Sequence, residues 1–343
     1  MNFDFSDDQQ AIKRTASELL AERFKSEKVR ELPEGGRYDD EVWGELCELG
    51  WPGIFVEEAY GGQGLGVVEL IILMEELGYA LAPLPFLSNA TAGLVIQSAG
   101  SDQQKERWLP GIASGEARGT VAVMRERDGG DDAPLVPDAD SAEVIVVLPC
   151  EGPPSVVEAS AAEIELLETI DATRRYARVR AEGGEPLEGD GANGVHAMPV
   201  AVAAELTGVA QRALEMAVEY AREREQFGRK IGAYQAVSHR CAQMMMETES
   251  ARSTTYYAAW TADAEPESLP LAASMAKAYA SDAGWRVTAS ALQVLGGIGF
   301  TWEHDLHFFL KRAKVDGALY GSAREHRDAV AQLAGLSREP APA

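Results

Sequence analysis

The chain has 343 residues, 46% apolar and 25% charged, a balance that belongs to a water-soluble globular protein with room for two or three domain-sized units. Acidic residues outnumber basic ones 55 to 31, giving a net charge of -24, and this argues against a nucleic-acid partner, since phosphate binding needs a clustered Lys/Arg surface. Cys47, Cys150 and Cys241 lack CxxC or His/Cys metal spacing and read as reduced thiols, the N-terminus is acidic where a signal peptide would be basic, and no run of about 18 apolar residues could span a bilayer. The expectation is a cytoplasmic protein with no membrane, nucleic-acid or metal partner.

Ser6 and Gln9 make a capping box, and Ile12, Ala16, Leu19, Leu20 and Phe24 recur at helical spacing, which predicts a helix over residues 6–25. Helical patterns follow over 39–49, over 67–80 and after Pro85, so the first 118 residues read as an all-helical domain. The texture changes at Gly119. Residues 120–124, 143–148 and 175–180 are short β-rich runs bounded by Gly, Pro and Asp, predicting a small β domain over 119–188 with solvated loops at 128–132 and 182–184. From Pro199 the helical period returns, with Leu206, Val209, Ala210, Ala213, Leu214 and Ala217 in one wide apolar stripe, and a helical bundle is expected over 196–336. The tail, 337–343, has no apolar anchor and is expected to be disordered. The predicted fold class is mainly α with a small middle β domain.

Two motifs carry chemistry. Arg222-Glu223-Arg224-Glu225-Gln226-Phe227-Gly228, followed by Tyr234-Gln235-Ala236, is either an ordinary charged helix end with a Gly turn or a helix break whose Arg grips a pyrophosphate. Gln293-Val294-Leu295-Gly296-Gly297-Ile298-Gly299-Phe300 is either a tight turn or a place where backbone N–H groups approach a phosphate or a ring.

Together the two motifs resemble the C-terminal domain of the acyl-CoA dehydrogenase family. Gly50-Trp51-Pro52-Gly53-Ile54, Tyr60-Gly61-Gly62-Gln63-Gly64, Glu75-Glu76-Leu77-Gly78 and Leu109-Pro110-Gly111-Ile112 are similar to that family's helical-domain landmarks, so the resemblance covers nearly the whole chain. It implies a helical domain, a β domain and a four-helix C-terminal bundle that builds dimers and tetramers, with FAD held across a subunit interface and an electron-transfer flavoprotein as acceptor. It also implies that Arg224, Gln226, Phe227, Gln235, Gln293, Gly296 and Gly297 bind the FAD of a neighbouring subunit. The family's Thr-Glu-Pro-x-x-Gly-Ser run and Trp-Ile-Thr-type strand have no counterpart: Met124-Arg125-Glu126-Arg127 follows Val123, and no Trp occurs between Trp108 and Trp260. The β domain is therefore expected to be truncated, and the flavin pocket this chain would build for itself is placed in doubt.

The family's reaction removes a proton α to a thioester while hydride leaves the β carbon, and a desolvated carboxylate serves well as the base. With Ala313-Lys314 aligned on the family's Ala-Lys, the usual Glu position falls on Tyr320, and the alternative site, ten residues before Gly208, falls on Met198. Neither is a carboxylate, and Tyr is a poor replacement. Glu205 lies near the second site and reads either as a relocated base or as a polar contact between helices. Three readings follow. The chain is the smaller, base-deficient subunit of a heterotetrameric acyl-CoA dehydrogenase, resembling the α2β2 enzymes of actinobacterial steroid side-chain breakdown and completing the FAD site of a larger catalytic subunit; or a homo-oligomeric dehydrogenase with a relocated base; or a scaffold without enzymatic activity.

Overall fold

The computed structural model describes residues 4–32, 38–127, 130–189 and 191–336. Six helices come first: α1 (Asp7–Arg23), α2 (Ser26–Glu31), α3 (Asp40–Glu48), α4 (Val67–Ala80), α5 (Phe86–Ala99) and α6 (Asp102–Ser114). The Ser6 hydroxyl accepts from the Gln9 N–H and the Gln9 side chain reaches back to the Ser6 N–H, so the capping box forms as its residues dictate. Asp39 caps α3 in the same way, accepting from the Glu41 and Val42 N–H groups. The short α2 was not expected from the pattern, because six residues are too few to show a period.

Eight strands follow: β1 (Gly119–Val123), β2 (Arg125–Arg127), β3 (Gly130–Pro137), β4 (Val144–Leu148), β5 (Ser155–Glu158), β6 (Glu163–Leu167), β7 (Tyr176–Arg180) and β8 (Glu185–Pro186). They make two four-stranded sheets, ordered β1-β4-β5-β8 and β2-β3-β7-β6. Between the sheets lies a small core of Ala122, Ala133, Val136, Ile145, Val147, Val157, Ala177 and Val179. The sequence reading named three of these strands and placed a solvated loop over 128–132. That reading is corrected for the last of these residues: Gly130, Asp131 and Asp132 pair with β2, and Asp132 is buried with its carboxylate 3.2 Å from the Arg178 guanidinium. Residues 128 and 129 lie outside the described residues.

The chain ends in α7 (Ala192–Glu223), a hairpin of β9 (Glu225–Gln226) and β10 (Arg229–Lys230), α8 (Gln235–Ala264), α9 (Leu269–Leu295), α10 (Leu306–Asp316) and α11 (Ala323–Leu333). Helix α7 begins seven residues before Pro199, which it carries in its interior. It is the hub, packing against α4, α5, α8, α9 and α10. Its approach to α4 is close enough that a Cβ on Gly208 would run into the Glu75 carbonyl and one on Gly78 into the Glu205 carbonyl, so small residues at this crossing are required by contact between backbones. Among the described residues no helix is long and apolar enough to cross a membrane. The expected disordered tail, 337–343, lies outside the described residues.

Candidate active site and flavin-donor surface

The segment between α10 and α11 carries Tyr320 in a left-handed conformation, φ +55°. The Tyr320 hydroxyl lies 3.1 Å from the Thr91 hydroxyl on α5, and burial pushes its pKa above the ordinary phenol value. On its other side Tyr320 joins Val123, Arg125, Pro134, Leu135 and Leu319 in lining a cleft of about 290 Å³ between the sheets and the helices. Met198 is buried within α7. Neither position offers a proton acceptor at neutral pH.

Glu205 is only 1% exposed and is locked in place. Arg174 reaches it with two bonds of 2.6 and 3.1 Å, and Arg312 with one of 2.9 Å. Burial alone would raise its pKa, but the two guanidinium groups outweigh that effect and hold the carboxyl below its usual range. Arg312 also bonds Asp171 at 2.6 Å and Thr173 at 2.7 Å, and Arg174 reaches Asp316 at 3.2 Å. Burial, and then the neighbouring Glu205 carboxylate, push Asp316 well above the carboxylate range. Two arginines thus face the carboxyl groups of Glu205, Asp171 and Asp316 in one buried cluster. It ties the segment before β7 to α7 and α10. The reading of Glu205 as a polar contact between helices holds, through Arg312 on α10, whereas its partners were not named from the sequence; the available signal was an Arg standing inside an otherwise apolar helix.

Lys277 on α9 is fully buried, and its ammonium donates to Ser281 Oγ at 3.1 Å and to the carbonyls of Asp316 and Gly321 at 3.0 Å each, with Gly317 O at 3.4 Å. Burial lowers its pKa to about 7, an effect that Asp316 and Glu325 only partly offset. These carbonyls flank Tyr320, so Lys277 fixes the segment in which a base would stand.

The residues expected to hold a neighbour's flavin face outward. Arg224 ends α7 and is exposed, as are Gln226, Gln235, Gln293 and Gly297; Phe227, φ +51°, is 92% exposed at the tip of the β9–β10 hairpin. The hairpin is braced: Ile231 N–H donates to Arg224 O at 2.8 Å, Lys230 pairs with Glu225 at 2.8 Å, and Tyr234 Oη donates to Gln226 O at 3.1 Å. Gly296 has φ +65° and ψ -140°, a conformation open to glycine alone, and nothing lies within 4 Å of where a Cβ on Gly296 or Gly297 would sit. A guanidinium, an exposed ring and an open glycine backbone are groups suited to a dinucleotide's pyrophosphate and ring system.

Comparison with known proteins supplies the family. The description "Acyl-CoA dehydrogenase, N-terminal domain" matches residues 6–116 and "Acyl-CoA dehydrogenase, C-terminal domain" matches residues 193–334. Acyl-CoA dehydrogenase IpdE2 of Mycobacterium tuberculosis is 33% identical over 321 residues, covering 93% of this chain and 95% of its own. Among solved structures, the Tcur3481-Tcur3483 steroid ACAD variant is 26% identical with a TM-score of 0.87, covering 96% of this chain and 98% of that one. The ChsE4-ChsE5 complex of Mycobacterium tuberculosis, 24% identical with a TM-score of 0.88 over 99% of this chain and 100% of that one, shares the fold. Matched at both ends and a third identical to a full-length relative, the chain belongs to the acyl-CoA dehydrogenase family of FAD-dependent oxidoreductases.

Proposed function

We propose that the chain is the base-deficient subunit of a heteromeric acyl-CoA dehydrogenase: it completes the FAD site of a larger catalytic subunit, and that partner supplies the base. The observation that supports this reading is Tyr320, at the position expected for the base, hydrogen-bonded to Thr91, while the residues expected to hold flavin are exposed around Phe227 and Gly297. Bound FAD would take the hydride lost from the β carbon and pass the electrons to an electron-transfer flavoprotein. Arg224 would hold the pyrophosphate of the partner's FAD, and Phe227, Gln235, Gln293 and the Gly296-Gly297 backbone would help to hold the rest. Against a relocated base stand the two arginines on Glu205: a base must accept a proton near neutral pH, and those charges oppose it.

The substrate class is an acyl-CoA thioester. A steroid side-chain CoA ester is favoured by the steroid ACAD likeness, whose name also joins two proteins in one assembly. The reading is tested in the assembled enzyme by replacing the larger subunit's Glu base with Gln. Turnover falls by about 10² to 10⁴ if that Glu is the base. Turnover within a few-fold of wild type at full flavin loading would show that this chain supplies a base after all.

A further inference from the structure

The ring of Tyr320 spans from the cleft beside Val123 and Arg125 to the surface of α5, where its hydroxyl meets Thr91. The polar side chains of α5 on this side already have partners within the chain. Ser88 Oγ lies 2.9 Å from the Pro85 carbonyl and 2.7 Å from Asp138 Oδ2; Asn89 donates to Ile112 O at 3.1 Å and accepts from Gly119 N–H at 2.9 Å; Thr91 donates to Ser88 O at 3.0 Å. Helices α5 and α7 are also in backbone contact, since a Cβ on Gly194 would run into the Leu94 carbonyl. Ser88, Asn89 and Thr91 of α5 are thus engaged within the chain, and Met198 of α7 is buried.

We infer that Tyr320 is a plug that closes this chain's own acyl site, so that an acyl-CoA enters only the site on the catalytic partner. This rests on the base-deficient reading and gives it a steric cause in addition to the chemical one: the position has lost its carboxylate and has gained a ring that occupies the path from the cleft to α5. Lys277 is the positioning residue. The left-handed region is unfavourable for a tyrosine, and the bonds from Lys277 to the carbonyls of Asp316 and Gly321, with His326 Nε2 3.1 Å from Tyr320 O, hold the segment in that conformation.

The test uses the complex of both subunits and an acyl-CoA carrying a diazirine at the end of its acyl chain. After irradiation, peptides spanning residues 86–99 of this chain are scored for label by mass spectrometry, with flavin content measured in the same samples. Wild type and Tyr320→Phe, which keeps the ring, are expected to leave these peptides unlabelled, whereas Tyr320→Ala raises their labelling at least tenfold. Circular dichroism confirms that each variant is folded, and Tyr320→Gly is the second opening variant should alanine unfold the segment. Equal labelling of wild type and Tyr320→Ala overturns the plug, as does a folded opening variant with no gain. The base-deficient reading fails separately, on stoichiometric FAD held by this chain alone.

Discussion

At the scale of single residues, Glu205 and Lys277 show how the same burial serves opposite ends. Glu205 keeps its charge because two arginines surround it, so Glu205→Gln leaves Arg174 and Arg312 short of a counter-charge; removing one partner of a buried pair costs about 3–5 kcal/mol. The expected outcome is a clear fall in the denaturant midpoint, with turnover within about twofold of wild type once flavin loading is matched. Lost turnover with FAD still bound would restore Glu205 as a base. Lys277 has only neutral partners within bonding distance, and its pKa falls to about 7 from an ordinary 10.5. Between these values the unfolded chain binds more protons than the folded one, so this group's contribution raises stability as pH rises. Lys277→Met removes that pH dependence and leaves three carbonyls without their donor. The gap in unfolding free energy between wild type and Lys277→Met widens in favour of wild type from pH 7.5 to 9.5, by up to about 1.4 kcal/mol per pH unit. A gap that stays flat in urea titrations over this range would contradict the assignment.

At the scale of elements, the helices were legible because their cues are local. Ser6 with Gln9 marks a start that the cap then forms, and the stripe on α7 marks its buried face. The strands were harder, since β3 runs through Gly130-Asp131-Asp132, residues of low strand propensity that pairing with β2 holds extended. The start of α7 was missed because Pro199 reads as a first-turn residue, whereas the preceding turn is supplied by Ala192–Met198. The site divides in the same way. Counting along the chain singles out Tyr320 and Met198 as the expected base positions, but the bond of Tyr320 to Thr91 and the latch of Lys277 are long-range contacts that no spacing records. The β9–β10 hairpin carries its own prediction. Arg224→Ala, at an exposed site beyond the end of α7, leaves the fold of the chain intact and weakens FAD retention in the complex by about tenfold or more, through loss of a charge-assisted bond to pyrophosphate. Flavin dissociation measured by fluorescence recovery checks this; an unchanged dissociation constant would remove Arg224 from the site.

At the scale of the whole molecule, the outward surface exposes an arginine, an aromatic ring and open glycine backbone, and the inward side holds Tyr320 and a buried cluster of arginines and carboxyl groups. On the proposed function such a subunit would depend on association for its cofactor, because a ligand that needs both faces stabilises only the assembled state. The most direct measurement is therefore flavin content per chain by absorbance, after purification of this chain alone and after co-expression with its larger paralogue. The account predicts little or no FAD on the chain alone and a flavin-loaded complex of unlike subunits. Stoichiometric FAD on a homo-oligomer of this chain that oxidises an acyl-CoA would contradict it.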